Sequence, residues 1–166
     1  MSRGFVKEGD QEETPIIPSR AALPEGAINY VTSFGMEQLL GERTDLENQI
    51  TNLSTENETE RRRELAILNG KLDLLQERIA SARVLDIEQQ RKDEIRFGAT
   101  VTYKMLANNM VNTIQIVGVD EADLKLKKIA FVAPIVVAMT GHKEGDVIDF
   151  KLGGEIRKII ILKIEY

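Results

Sequence analysis

Apolar side chains recur at two different periods along this chain, and the change of period divides it. From about residue 33 to 85 they step by three and four: Met36, Leu39, Arg43, Leu46, Ile50 and Leu53 in one run, then Leu65, Leu68, Leu72, Leu75, Ile79 and Ala82 in a second. This spacing keeps each run on one stripe of an α-helix and predicts two helices with heptad seams. Arg43 falls on the first seam, where its stem can pack while its charge reaches the edge. Between the runs lies "NLSTENETE" (52–60), in which Thr55 and Glu58 fit a capping box. Such a box satisfies free amide hydrogens of a first turn, so a new helix is expected to start near Glu56. So short a break predicts an antiparallel hairpin whose arms, about 20 residues each, run roughly 30 Å at 1.5 Å per residue. The same spacing also fits two core helices of a bundle.

From residue 97 the pattern alternates. "FGATVTYKML" (97–106) and "VNTIQIV" (111–117) are rich in β-branched residues and flank an Asn-Asn turn, which predicts a hairpin. "KIAFV" (128–132) reads as a third strand, and Pro134 opens a short helix ending near Gly141. "DVIDFKL" (146–152) and "EIRKIIILKIE" (155–165) flank a Gly153-Gly154 turn. The expected class is α+β: a coiled-coil hairpin over 30–86, a linker over 87–96 with a polar run at 87–94, and over 97–166 a small antiparallel sheet covered by one helix. Residues 1–29 carry Pro15, Pro18 and Pro24 with mixed charge and no apolar period. They predict an extended arm, ordered only if something holds it.

Composition narrows the chemistry. The 166 residues, 42% of them hydrophobic, suffice for one ordinary core and a smaller appended element. With no cysteine and one histidine, disulfides, thiolate chemistry and Cys- or His-rich metal sites are excluded, so any metal would be held by oxygen. A net charge of −5 argues against sequence-independent nucleic-acid binding and favours a protein partner. No apolar signal core is legible near the start, and the longest apolar window, 129–141, contains Pro134 and is too short to span a bilayer. A cytoplasmic monomer with no membrane association is expected.

Several stretches carry a resemblance. "FGATVT" (97–102), "IVGVDEAD" (116–123), "APIVVAMTGHKEGD" (133–146) and "LGGE" (152–155) resemble the C-terminal domain of the Gre transcript-cleavage factors, GreA and GreB. "YVTSFGMEQLLGE" (30–42) and "ASARVLD" (80–86) resemble the start and end of that family's N-terminal coiled coil. The resemblance implies an FKBP-like C-terminal domain that docks on bacterial RNA polymerase, with nucleic acid met only through the elongation complex. It implies a coil that enters the secondary channel, and no cofactor beyond a magnesium ion shared with the polymerase. The chain departs from the family in two respects. The span 32–86 is shorter by roughly a heptad per arm, or about 10 Å of reach at 1.5 Å per residue. The family tip reads approximately Asp-Leu-Ser-Glu-Asn, whereas Asn52 here puts an amide at the position of the first acid.

Candidate site residues follow. Glu56, Glu58 and Glu60 are the tip acids that could hold magnesium. The competing reading is that acids simply complement the positive end of a new helix; alternate positions fan out around a helix, and Arg61, Arg62 and Arg63 follow directly. Asp120, Glu121 and Asp123 could face a basic partner. Ala133, Pro134 and Ile135 match the place where the family carries a Ser-Pro pair at the polymerase contact, with the hydroxyl missing here. His142 reads as a solvated turn residue. A prolyl-isomerase activity does not follow from an FKBP-like fold, and no aromatic-lined pocket is legible. Three functions remain open: a non-enzymatic polymerase regulator, like the short-coiled relatives called regulator of nucleoside diphosphate kinase; a factor stimulating transcript cleavage through its tip; and an adaptor whose sheet domain binds another protein.

Overall fold

The computed structural model describes residues 13–166; the first twelve residues of the expected arm lie outside the described residues. Helix α1 (Ser33–Thr51) starts at Thr32, whose Oγ1 accepts from the Gly35 amide at 2.9 Å. Helix α2 (Glu58–Ser81) runs back against it. Their seam buries Leu39, Leu46 and Leu75, with Met36, Leu68, Leu72, Ile79 and Ala82 packed around them. No third long helix joins them among the described residues, so the pair is a hairpin and not part of a bundle. Leu53 falls beyond the end of α1, and its heptad position is not used as a helical one.

The chain past Ser81, expected to be helical to residue 85, is instead a strand. β2 (Ala82–Val84) pairs in parallel with β1 (Asn29–Val31), joining Asn29 to Ala82 and Val31 to Val84. This two-stranded clip closes the base of the hairpin; its partners lie 53 residues apart, beyond the reach of a periodicity argument. Asn29, placed at the end of the arm by sequence, is buried, and its Nδ2 donates to the Arg78 carbonyl at 3.0 Å.

β3 (Thr100–Met105), β4 (Val111–Val117), β5 (Lys128–Ala130), β6 (Val147–Leu152) and β7 (Glu155–Glu165) form one sheet in the order β5-β4-β3-β7-β6. The sheet is mixed and not antiparallel as expected, because β5 pairs in parallel with β4. A crossing loop over 118–127 carries the chain back alongside the last three residues of β4, and Lys127, in the left-handed region at φ 56°, turns it into β5. Alternation supplies the core: Val101, Tyr103, Ile114, Ile116, Ile148, Ile159 and Ile161 point to one face, where Val136 and Met139 of helix α3 (Pro134–Met139) close over them. Each such fully buried aliphatic side chain is worth about 1.5–3 kcal/mol. The register of β3 against β7 shifts between Thr102 and Tyr103, so Lys163 and Ile161 are successive partners and Leu162 is left over. That bulge brings Ile164, three positions on from Ile161, to the same core side as Ile159 and Ile161. Ile95, within the expected linker, is wholly buried in this core, with backbone bonds of 2.8 Å to His142 and Gly141.

Candidate functional site

The tip is built differently from the sequence expectation. Asn57, not Thr55, caps α2: its Oδ1 accepts from the Thr59 and Glu60 amides at 2.9 and 3.3 Å. Asn57 stands immediately before the first helical residue in extended conformation (φ −89°, ψ 116°), where its short side chain turns back onto the first amides. Thr55 is two residues too early for this and instead donates to Glu64 Oε2 at 3.4 Å. Asn57→Ala is therefore expected to cost about 0.5–2 kcal/mol of stability in thermal or urea melts, whereas Thr55→Ala costs a few tenths at most.

Glu56 precedes the helix, and Glu58 and Glu60 lie in its first turn, where they complement the macrodipole. All three are exposed, and Glu58 faces Arg62 at 3.9 Å. Among the described residues, no three acidic or histidine side chains come together to hold a metal. The three glutamates do not converge on one point. The open hollow at the tip, about 710 Å³, is lined instead by amides and hydroxyls, among them Asn48, Gln49, Asn52, Ser54 and Thr55, with Glu64 and apolar Leu53, Ile67 and Leu68.

The acidic loop lies at the junction of coil and sheet. Asp120 receives Arg20 Nε at 2.9 Å and lies 3.5 Å from Arg78 Nη1; Arg20 also makes a fork to Glu42 at 2.8 and 3.0 Å. Those bonds, the one to Glu42 above all, raise the Arg20 pKa against the opposing cost of burial. Glu121 is buried, accepts from the Thr32 hydroxyl and faces Lys128 Nζ at 3.5 Å, and that ammonium sits 4.4 Å from the centre of the Phe34 ring. Asp123 caps the 3-10 turn Leu124–Leu126 through the Lys125 amide. All three acids marked by sequence are therefore engaged within the molecule. The partners of Asp120 and Glu121 include Arg20 and Thr32, 100 and 89 positions from them in the chain.

Two further features of the junction were not legible in sequence. Tyr30, Phe97 and Phe131 form a triangle of rings with centroids 5.6–5.9 Å apart, in tilted and edge-on contacts. They wall a groove of about 520 Å³ with Val136, Val137 and Arg96, so an aromatic-lined pocket does exist, assembled from three distant segments. At Gly118 the backbone of the loop comes close to that of β1: a Cβ there would lie 2.6 Å from the Tyr30 carbonyl oxygen.

At the start of α3, Ala133 offers no capping side chain, Pro134 occupies the first turn and is exposed, and Ile135 is half-buried. Val137, one turn on, is 62% exposed. His142 lies beyond the helix with Nδ1 3.2 Å from Asp146 Oδ2, and the same carboxylate accepts from the Lys143 amide at 2.9 Å. That backbone bond and the histidine hold the Asp146 carboxyl below the usual carboxylate range. No helix of the described residues is long and apolar enough to cross a membrane.

A helical hairpin closed at its base by a two-stranded clip, followed by a mixed sheet with one short helix, defines the architectural class. The family model "Transcription elongation factor, GreA/GreB, C-term" matches residues 90–166. GreA of Trichlorobacter lovleyi is 37% identical over 99 residues, covering 60% of this chain and 63% of that protein. GreA of Bartonella tribocorum is 37% identical over 97 residues, covering 58% and 62%. GreA of Methylococcus capsulatus is 32% identical over 106 residues, covering 63% and 67%. The chain belongs to the GreA/GreB family. It spans 63% and 62% of the length of the first two of these relatives. Among solved structures, the GreA/GreB factor of Nitrosomonas europaea matches at 23% identity over 84% of this chain and 99% of that one, with a TM-score of 0.41. At that score the likeness carries nothing further.

Proposed function

We propose that this protein is an RNA polymerase-binding regulator of transcription that acts near the secondary channel and modulates elongation without being an enzyme. The family match over residues 90–166, which contains the exposed start of α3, is the observation that carries the reading. In this proposal residues 97–166 form an FKBP-like docking domain, and Ala133, Pro134 and Ile135 present the contact to the polymerase. Residues 30–86 form the coil that projects from it, and 87–96 join the two. Asp120 and Glu121 serve first to tie the loop to the arm and to the start of α1, while Asp123 caps the 3-10 turn within the loop, and the three remain candidates for the polymerase contact. The protein brings no cofactor of its own, works as a cytoplasmic monomer and meets nucleic acid only through the elongation complex.

The second reading, a cleavage-stimulating factor, needs a carboxylate at the tip poised to share the polymerase's magnesium. The divergent, exposed glutamates and Asn52 weigh against it.

Binding of the full chain to purified RNA polymerase tests the proposal. Pro134→Asn is expected to weaken it several-fold at an unchanged melting temperature, because proline at the first helical position fixes the backbone of the contact. Equal affinity in the folded variant would remove this surface from the proposal.

A further inference from the structure

We propose that residues 17–21 form a releasable strap that ties the coil to the sheet domain and keeps Asp120 closed to a basic partner surface. The inference rests on the polymerase reading only for the identity of that partner. Arg20 is its centre: one guanidinium joins the arm to Glu42 on α1 and to Asp120 on the acidic loop, and it is 18% exposed where Asp120 is 6% exposed. The next residue contributes its backbone, since the Ala21 carbonyl accepts from Arg78, which itself reaches Asp120. The arm thus closes a ring of contacts in which both oxygens of Asp120 face arginines of the same chain.

An independent observation comes from α2. Gly70 sits in mid-helix, where glycine is unfavourable, and a Cβ there would collide with the Ile17 side chain. The glycine leaves the room in which the arm is seated. The Glu42 end of the strap is exposed, so its ion pair is weak and screened by salt, and it is the end from which the strap can open. Once the arm lifts, Asp120 retains only the 3.5 Å contact to Arg78, and the loop is available to a cationic surface.

Trypsin reports the open state directly, because cleavage after Arg20 needs its side chain withdrawn from both carboxylates. The full chain is digested briefly and cleavage after Arg20 is compared by mass spectrometry with cleavage after Arg91, whose side chain is largely exposed. Glu42→Gln removes the coil end of the strap. Gly70→Ala unseats Ile17 while favouring the helix, so loss of folding does not confound it. Both variants, and wild type at raised salt, are expected to be cut after Arg20 several-fold faster, and both variants to bind RNA polymerase several-fold more tightly. Wild type cut as fast as the variants would overturn the strap, and a freed arm with unchanged or weaker affinity would overturn its closing of Asp120. Cleavage that responds in a chain that binds polymerase in no form would refute the polymerase reading and uphold the strap.

Discussion

Backtracked elongation complexes given this protein are expected to keep their RNA 3′ ends, with shortening no faster than in its absence. A carboxylate that completes a polymerase magnesium shell acts only in the reactive complex, so it would appear as rate and not as affinity. Charge-stabilising groups of this kind are worth roughly 10²–10³ in rate when removed singly, so presence and absence are easily told apart. Here Asn52, the C-cap of α1, stands where the resemblance puts an acid, and Glu56, Glu58 and Glu60 are exposed without converging. The arms, 19 and 24 residues, are about 29 and 36 Å long at 1.5 Å per residue. Changing Glu56 and Glu60 to Gln is expected to leave polymerase binding intact. Asn52→Asp is expected to remain inactive, because the proposed reading also makes the arms about a heptad, roughly 10 Å, too short. Shortening by wild-type protein that the double glutamine variant abolishes would reverse this reading; shortening gained from Asn52→Asp alone would show that the arms are long enough.

Leu75→Ala is expected to lower stability by about 2–5 kcal/mol, against a total of roughly 5–15 kcal/mol for a protein of ordinary stability. Leu75 is fully buried in the seam among Val31, Leu39 and Leu46, near the base of the hairpin where the β1-β2 clip and the acidic loop hold the surroundings in place. A site so held collapses little when side-chain volume is removed, so the cavity penalty adds to the lost transfer energy. Leu65, nearer the tip and only half-buried, is the control: its alanine variant is expected to cost clearly less. Urea unfolding followed by circular dichroism measures both, with a shift of midpoint at unchanged slope as the signature of a pure stability change. Equal losses at the two positions would show that the seam is packed uniformly along its length.

What could be read in advance depended on how far apart the interacting groups lie. The three-four steps of Leu39 and Leu46 and of Leu68, Leu72 and Leu75 place those residues on one stripe of each helix, and the alternation of Val101, Tyr103, Ile114 and Ile116 marks the inward face of two strands. Both are properties of consecutive residues. The cap of α2 lies two positions beyond the one the sequence predicts, because Thr55 and Asn57 are both good capping types and only the observed helix start distinguishes them. Parallel pairing of β5 was hidden because direction depends on the crossing loop, not on the strand's own residues.

The periods, the turns, the proline-started helix and the family resemblance are legible along the chain, because each resides in side-chain chemistry repeated over a few neighbouring residues. Folding alone brings Asn29–Val31 to Ala82–Val84, gathers Tyr30, Phe97 and Phe131, and turns Asp120 and Glu121 toward Arg20 and Thr32 instead of solvent. In each of these a charge, ring or backbone edge is satisfied by a group brought up by folding, and nothing in the local sequence marks which distant residue will arrive.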